Sequence, residues 1–197
     1  MDRLPNSRKE VEEIATLFGK SATVRLDLQA TETAVRQESR NHSILHFAIH
    51  GWLDDQIGLN SGLVLTRPEL SGRKPTREDN GLLQAWEIFD QLRLNADLVV
   101  LSACDSGLGQ ELGGEGLIGL TRSLQYAGAR SIAVSLWEVD DASTAELMKA
   151  FYRQLQKGTS KDVALQNAMA AVRDNQTNPR WRHPRYWSAF ILVGSWD

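Results

Sequence analysis

The chain of 197 residues has 42% hydrophobic and 24% charged side chains, typical of a globular protein, and we expect one domain over residues 1–197. Its net charge of -3 gives no electrostatic attraction for nucleic acid or an anionic membrane, so neither is an expected partner. The single cysteine excludes an internal disulfide and the amino terminus lacks the apolar core of a secretion signal, so we expect the cytoplasm.

Short apolar runs rich in β-branched residues alternate along the chain with segments of helical periodicity. These runs predict six strands, at residues 22–28, 43–50, 61–66, 96–104, 130–137 and 188–194. Most of the runs are continuously apolar, which is typical of strands buried on both faces of a sheet. Alternating strands and helices predict an α/β fold with a doubly wound, mostly parallel sheet and helices on both faces.

Four helices are predicted between these strands. One ends at Gly19, one spans 116–126, one ends at Gly158, and the last carries its apolar stripe over 165–172. Two helix starts carry a serine followed three residues later by a glutamate, which predicts a capping box at each; the pairs are Ser7/Glu10 and Ser143/Glu146. Residues 66–81 form a polar stretch with two prolines and predict an exposed loop.

The glycine-rich stretch at 107–116 follows the predicted strand that ends in the cysteine. Five of its residues are glycine, so ordering it costs much conformational entropy. Such a segment suits a loop that becomes ordered on activation, and we expect weak hydrogen-exchange protection there in the resting protein. The isolated domain would then be weakly active or latent.

Cys104 and His50 each stand where a predicted strand hands the chain to a loop. In open α/β sheets the reacting residues collect outside the carboxyl ends of the strands. A neighbouring imidazole can take the proton of a thiol or hold the thiolate as an ion pair. The histidine lies about 50 residues upstream of the cysteine, which is the spacing of caspases. These features favour a cysteine–histidine dyad.

Each residue of the dyad also has a structural interpretation. A lone cysteine in an apolar run is commonly a small core residue, and His50 alone carries no more weight. His46 shares a strand face with His50 and is an alternative base, although its apolar neighbours favour a hydrogen-bonded core histidine. One cysteine and scattered histidines offer no zinc spacing, and no G-x-S-x-G elbow is present.

A nucleotide site is a further alternative. The sequence GEGLIG at residues 114–119 fits G-x-G-x-x-G at a helix start, with Glu138 and Asp140 about twenty residues further on. However, ten residues separate this motif from the preceding strand, and Glu111 and Glu115 would repel a pyrophosphate. The same glycines also suit a mobile loop and a closely packed helix.

Several blocks of the sequence together resemble a known family. They are ILHFAIHG, SGLVLT, LVVLSACDSGLG, GGEGLIGLTRSLQYAGARSIAVSLWEVDD, FYRQLQKGTSKDVALQNA and HPRYWSAFILVG. Their order from Leu4 to Gly194 resembles that of a CHAT domain, a family of caspase-like proteins related to separases and often attached to tetratricopeptide repeats in bacteria. The resemblance implies a caspase/hemoglobinase fold and a cysteine endopeptidase that needs no cofactor and no metal.

The resemblance also assigns roles to individual residues. His50 and Cys104 match the catalytic pair of the family, and the backbone N–H groups of Gly51 and Cys104 match its oxyanion hole. This chain reads SACDSG where caspases carry an arginine after the cysteine, so the caspase preference for aspartate does not carry over. No tetratricopeptide repeat appears in the chain, so we expect a regulatory portion or partner, and one edge strand, to lie elsewhere.

Acids near the predicted strand ends suggest a preference for a basic side chain before the cut. SLWEVDD resembles the separase stretch that supplies acid to that pocket, and Asp140 is the favoured residue. Acids at this place also stabilise a helix start, which is the competing interpretation. The remaining candidates for the substrate cleft are Glu138, Asp141, Asp105, Trp52 and Trp137. A caspase-like scaffold without catalysis remains the alternative from another class.

Overall fold

The main sheet has four strands. The structure, a computed structural model, describes residue 4 and residues 6–102, 114–137 and 139–197. The strands of this sheet are β1 (Ile44–Phe47), β5 (Leu98–Leu101), β6 (Ser131–Ser135) and β7 (Phe190–Gly194), in the order β1-β5-β6-β7. The first three strands are parallel, and β7 is antiparallel to β6. The predicted doubly wound, mostly parallel sheet with helices on both faces is confirmed.

The apolar runs of the sequence become the centre of this sheet. All residues of β5 and β6 are buried, because these strands are paired on both sides and covered on both faces. On one face Val99 and Leu101 pack against α3 (Ala85–Gln91) and α4 (Glu115–Ala127). On the other face Leu98 and Val100 pack against α5 (Asp141–Leu155) and α6 (Lys161–Arg173).

Two further helices flank β1. The first, α1 (Ser7–Phe18), contributes Ile14 to the α5 and α6 face of the sheet. The second, α2 (Glu32–Glu38), places Val35 against the α3 and α4 face. The short helices α2 and α3 were not predicted, and the four predicted helices are all present with ends shifted by a few residues.

A small antiparallel sheet follows β1. It consists of β2 (Gly51–Trp52), β3 (Gly62–Val64) and β4 (Leu82–Gln84) in the order β2-β3-β4. The predicted strand at 61–66 is therefore correct in existence but belongs to this second sheet. The predicted loop at 66–81 is largely exposed and contains one short 3-10 turn, Pro68–Ser71.

The strand predicted at 22–28 is wrong as a paired strand. Ala22 and Leu26 have extended backbone angles, the residues between them belong to no helix or strand, and a 3-10 turn, Asp27–Gln29, follows; the segment pairs with no strand in the part of the chain that the structure describes. Burial alternates along this segment, with Val24 and Leu26 half-buried and Thr23 and Arg25 exposed. The segment has the alternating burial of a strand, and no described strand pairs with it.

Both predicted capping boxes are wrong in detail. Asn6 precedes α1 without a side-chain cap, and Glu10 turns away from the helix start to bind a histidine of β1. At α5 the cap is Asp140, whose carboxylate accepts the N–H of Ser143 at 2.9 Å. At α1 the contact of Glu10 with the histidine of β1 replaces the predicted capping box. At α5 the carboxylate of Asp140 replaces it.

Candidate functional site

The carboxyl ends of three parallel strands meet at one edge of the main sheet. Phe47 of β1 is aligned with Leu101 of β5, and Leu101 is aligned with Val134 of β6. The pairing continues past the strands, because the Ser102 N–H donates to the Phe47 carbonyl at 3.0 Å. The chain after β1 and the chain after β5 therefore start side by side at this edge.

His50 follows β1 at this edge and connects the two sheets. It stands three positions beyond Phe47 and is half-buried. Its carbonyl accepts the N–H of Val64 in β3 at 2.9 Å, which fixes the main chain on the side of the small sheet. The chain at His50 is thus fixed by two backbone bonds, one at the Phe47 carbonyl that ends β1 and one at the carbonyl of His50 itself.

Gly51 begins β2 and is buried. It is aligned with Leu63, next to the hydrogen-bonded pair of His50 and Val64. Hydrogen-bonded and non-hydrogen-bonded pairs alternate in an antiparallel ladder, so the Gly51 N–H points away from β3. Because β2 is the outer strand of the small sheet, this N–H faces the free edge of that sheet. A donor in this position is available to a ligand.

Three predicted site residues lie outside the described residues: Cys104, Asp105 and Glu138. The predicted loop at 107–116 also lies outside them, except for its last three residues. The described chain reaches Ser102, whose side chain is buried, with no hydrogen bond to its Oγ from any residue in the described ranges. Cys104 is by count three positions beyond Leu101, as His50 is three beyond Phe47.

The described residues after β6 have structural contacts of their own. Asp140 is exposed and caps α5, as described above, and Asp141 accepts the N–H of Asn6 at 2.5 Å. Trp137 is half-buried, packs on the α5 and α6 face and donates its Nε1–H to the Arg185 carbonyl at 3.3 Å. Trp52 is half-buried in β2 and is paired with Gly62. The structure brings Trp137 and Asp140 to the carboxyl end of β6.

His46 is occupied by a buried network on the opposite side of β1 from the α3 and α4 face. Its Nε2 lies 2.8 Å from the Glu10 carboxylate and its Nδ1 lies 3.1 Å from the Tyr152 hydroxyl. The carboxylate can only accept, so Nε2–H donates to it, and Nδ1 shares a hydrogen bond with the phenol hydroxyl. Burial and the nearby Glu10 raise the pKa of Tyr152, which keeps that phenol protonated. This histidine fits the core role and not that of the base.

The GEGLIG glycines serve close packing. A Cβ on Gly119 would lie 2.4 Å from the Gly58 carbonyl oxygen, and one on Gly116 would lie 2.8 Å from Ser61 Oγ. Helix α4 can therefore approach residues 53–61 only because these positions lack side chains. The carboxylate of Asp55 lies 3.4 Å from the Gly116 N–H, at the place where a phosphate would bind. These contacts account for the motif without a nucleotide.

The loop after Trp52 is built by one aspartate. Asp54 accepts the N–H groups of Ile57 and Gln56, both at 2.9 Å, and the Asn60 amide at 3.0 Å. The bond from the Ile57 N–H, followed by the Asn60 side chain, lowers the pKa of Asp54. Sequence reasoning missed this residue, although an aspartate before a turn is a known signal for such bonding.

Neither a metal-binding cluster nor a membrane-spanning helix is found in the described part of the chain. No group of three or more histidine, cysteine, aspartate or glutamate side chains there is arranged to hold a metal ion. None of the helices in the same ranges is both long enough and apolar enough to span a bilayer.

Comparisons with known proteins agree with the fold. The family model described as the CHAT domain matches residues 1–195. Tetratricopeptide repeat protein 28 of Mus musculus is 38% identical over 114 residues, and the protein of the same name from Homo sapiens is 37% identical over 114 residues. Each alignment covers 58% of this chain and 4% of the relative, so the chain spans a small part of the length of those proteins. With its caspase-like α/β fold and a family match over nearly its whole length, the chain belongs to the CHAT domain family.

Proposed function

We propose that this domain is a cysteine endopeptidase in which His50 and Cys104 form the catalytic pair. The observation that carries the proposal is the register of β1 and β5. The two strands are parallel neighbours with Phe47 opposite Leu101, and the histidine and the cysteine each follow three positions later. Adjacent parallel strands lie about 4.8 Å apart, so side chains leaving their ends at matching positions start within reach of proton exchange.

The chemistry follows from these two groups. The thiolate of Cys104 attacks the carbonyl carbon of the scissile peptide, and the negative charge moves to the carbonyl oxygen. The C–N bond then breaks as imidazolium His50 gives its proton to the leaving amine. Water attacks the resulting thioester with His50 as base, which releases the acid and returns the thiol. The outward N–H of Gly51 supports an oxyanion hole, completed by the N–H of Cys104.

The substrate preference is proposed from the end of β6. Asp140 is exposed and lies at the same edge of the sheet as His50. It follows β6, which is the strand next to β5. We infer that it contributes to a pocket for arginine or lysine before the cut, together with Glu138, Asp141 or Asp105. Trp52 and Trp137 are proposed as walls of the cleft. The cap that Asp140 supplies to α5 uses one carboxylate oxygen, Oδ1, and leaves the other for a cation.

Control by a repeat domain is the third part of the proposal. Two relatives are named as tetratricopeptide repeat proteins, and this chain matches a small part of each. We infer that this single CHAT domain works with a tetratricopeptide-repeat or other regulatory protein segment that controls access of a protein substrate. Gel filtration of the domain with candidate repeat domains, followed by cleavage assays of the complex, tests this link.

The decisive experiment uses the single cysteine of the chain. Because no other thiol is present, a thiol-reactive peptide probe that labels the protein reports on Cys104 alone. Wild type is incubated with a candidate proteome beside Cys104→Ala, and new amino termini are sequenced. We expect fragments only from wild type. Equal cleavage by both proteins would refute the peptidase, and binding without cleavage would favour a silent scaffold.

A matched pair of variants tests the pocket. Asp140→Asn keeps a side-chain oxygen that can cap α5 but removes the charge, whereas Asp140→Ala removes both. In a peptide library, wild type should enrich basic residues before the cut, and both variants should lose that enrichment about tenfold. If Asp140→Asn retains the preference, Asp140 acts only as a cap, and the other acids must be varied in turn.

A further inference from the structure

The chain between α6 and β7 carries a local concentration of positive charge. Residues 175–196 contain three arginines, one histidine and no aspartate or glutamate, whereas the whole chain has a net charge of -3. The arginines are Arg180, Arg182 and Arg185, and all three are exposed, as is His183 between them. A protein that is negative overall therefore presents one positive segment, which attracts acidic groups.

No acidic side chain neutralises these three arginines. None of them forms an ion pair with a carboxylate in the part of the chain that the structure describes. The acid nearest in sequence, Asp174, is bound through both carboxylate oxygens by Arg173, at 2.8 Å each. The hydrogen bond from Arg173 lowers the pKa of Asp174, and the charge of Arg182 adds a smaller effect. The three guanidinium groups can therefore bind the carboxylates of a ligand.

The main chain that carries the arginines is held in a fixed shape. It forms two 3-10 turns, Pro179–Arg182 and Pro184–Tyr186, and each begins with a proline whose ring fixes the φ angle. Two indole N–H groups donate to carbonyls of the segment; these bonds join Trp187 to Arg182 at 3.2 Å and Trp137 to Arg185 at 3.3 Å. A ligand that binds here orders arginine side chains but not the backbone, which lowers the entropic cost of binding.

The segment lies at the same edge of the main sheet as His50. Strand β7 is antiparallel to β6 and pairs its first residue, Phe190, with the last residue of β6, Ser135. The pairing continues outward, because the Leu136 N–H donates to the Ala189 carbonyl at 2.8 Å. The chain before β7 and the chain after β6 therefore meet at the carboxyl end of β6. Neighbouring strands are about 4.8 Å apart, so β7 lies about 10 Å from β5.

Aromatic side chains beside the arginines favour a polypeptide ligand over a nucleic acid. Trp181 and Trp187 are half-buried and pack on the α5 and α6 face, and the Arg173 guanidinium lies 5.9 Å from the centre of the Trp187 ring. The partly covered rings leave little surface on which bases could stack. Three arginines also neutralise few phosphates on a protein that is otherwise negative. Arginine and tryptophan are, by contrast, enriched where proteins contact one another.

We propose that Arg180, Arg182 and Arg185, together with Trp181, form a docking surface for an acidic segment of the protein substrate. We call this set of four residues the arginine surface. Aspartate or glutamate side chains of the segment bind the guanidinium groups, while another part of the same chain lies in the cleft beside His50. That the ligand is a substrate rests on the peptidase function proposed above. Docking here lowers KM and leaves kcat unchanged, because the arginines touch no reacting atom.

The first test measures binding without cleavage. The 197-residue chain carrying Cys104→Ala is titrated into a fluorescent peptide of alternating glutamate and glycine, and the anisotropy is recorded. We expect a saturable rise with this peptide and none with the same peptide carrying glutamine in place of glutamate. Equal binding of the two peptides would overturn the proposal. Binding of a single-stranded oligonucleotide of the same charge as tightly as the acidic peptide would overturn it as well.

Matched variants assign the binding to the arginine surface. Changing its three arginines to glutamine in one protein should weaken binding of the acidic peptide by about tenfold or more. The control removes the same charge from three exposed arginines elsewhere in the chain: Arg40→Gln, Arg67→Gln and Arg122→Gln. This control should bind as tightly as the parent protein. Equal weakening in both triple variants would show an effect of net charge alone and would contradict the proposal.

A double variant guards against a loss of folding. Arg182→Gln with Arg185→Gln keeps the bond that Arg180 donates to the Tyr186 hydroxyl at 3.2 Å. This variant should unfold at the same temperature as the parent protein and should still lose most of the binding. Full binding by the double variant would overturn the role of these two arginines.

The second test links the arginine surface to cleavage. A library peptide that wild type cleaves is extended, on either side of the cut, by a run of glutamate and glycine or of glutamine and glycine. The acidic extension on one side should lower KM about tenfold with kcat unchanged, and the triple variant of the arginine surface should lose only that gain. Equal kinetics with the two extensions on both sides would overturn the proposal and leave the peptidase intact. Arginine-dependent binding by a protein that cleaves no peptide would refute the peptidase, and with it the ligand as a substrate, but not the acidic docking surface.

Discussion

Strands β1 and β5 are neighbours of equal length and have different environments. All four residues of β5 are at most 1% exposed, whereas all four of β1 are half-buried, although both sequences are largely apolar. The difference arises because β5 is paired on both sides and β1 on one. An apolar sequence therefore does not by itself distinguish a strand paired on both sides from one that is paired on one side among the described residues.

The two strands also differ in how they are anchored to the helices. His46 of β1 is aligned with Val100 of β5, and both face α5. Val100 packs among apolar side chains, while His46 is bonded to Glu10 and Tyr152. At this position β1 is thus attached to the helices by hydrogen bonds, whereas β5 is attached to them by apolar packing. Three predictions test this contrast, and a fourth concerns the chain after β6.

The ends of the two strands give the largest expected effect. His50→Ala after β1 and Cys104→Ala after β5 should each reduce kcat/KM on a library peptide that wild type cleaves by about 10⁵-fold, because each removes one half of a single reacting unit. His183→Asn, at an exposed histidine, should leave the rate unchanged. The double variant should be no slower than either single one. Additive losses would show that the two residues do not act together.

Truncation of the strand centres compares burial directly. Leu101→Ala in β5 should lower the free energy of unfolding by about 3 kcal/mol, because a fully buried side chain leaves a cavity. Leu45→Ala in β1 should cost about half as much, since that side chain is half-buried. Urea denaturation measures both. Equal costs would mean that the two strands are equally well packed.

The hydrogen bonds of His46 in β1 should make a smaller contribution to the free energy of unfolding, and this contribution should depend on pH. Tyr152→Phe removes the hydroxyl that is hydrogen-bonded to His46 Nδ1 and should cost about 1–2 kcal/mol at pH 7. Since the folded-state pKa of Tyr152 is raised, the native state retains its proton when the unfolded state loses it. Stability is therefore complete below about pH 10 and falls as the pH rises above that value.

The control for this pH dependence is Tyr126→Phe, at an exposed tyrosine. Denaturation curves from pH 8 to 11 should show the alkaline loss in wild type and in Tyr126→Phe, with a smaller loss in Tyr152→Phe. An unchanged alkaline slope in Tyr152→Phe would assign the loss to other groups.

The end of β6 provides the smallest predicted effect. Asp140→Ala removes the oxygen that accepts the Ser143 N–H and should cost about 1 kcal/mol, whereas Asp140→Asn should cost a few tenths. Thermal denaturation measures both variants against wild type. A loss in Asp140→Asn as large as that in Asp140→Ala would indicate that charge, and not the cap, stabilises this helix start.

The sequence predicted the central part of the sheet because its signals are local and strong. The runs around Val99 and Ile132 are long, β-branched and bounded by turns, and they are the buried parallel strands. Their parallel arrangement also places the chain after Phe47 beside the chain after Leu101, as predicted for the two strand ends. The role of Cys104 in the site remains a prediction.

The errors occurred where distant residues decide the outcome. Glu10 satisfies a capping pattern but binds His46, and that contact cannot be seen from either local sequence. Residues 22–28 have the sequence of a strand but pair with no strand among the described residues, because pairing depends on a neighbour and not on propensity. The helices α2 and α3 have seven residues each, too few for a clear helical period.

The carboxyl terminus lies at the edge of the sheet opposite His50. Lys161 holds Asp97, at the start of β5, and the Asp197 carbonyl, so the last residue is about one strand length, roughly 16 Å, from the edge where His50 lies. Asp197 is therefore held away from the rim around His50, where we propose that the substrate chain binds.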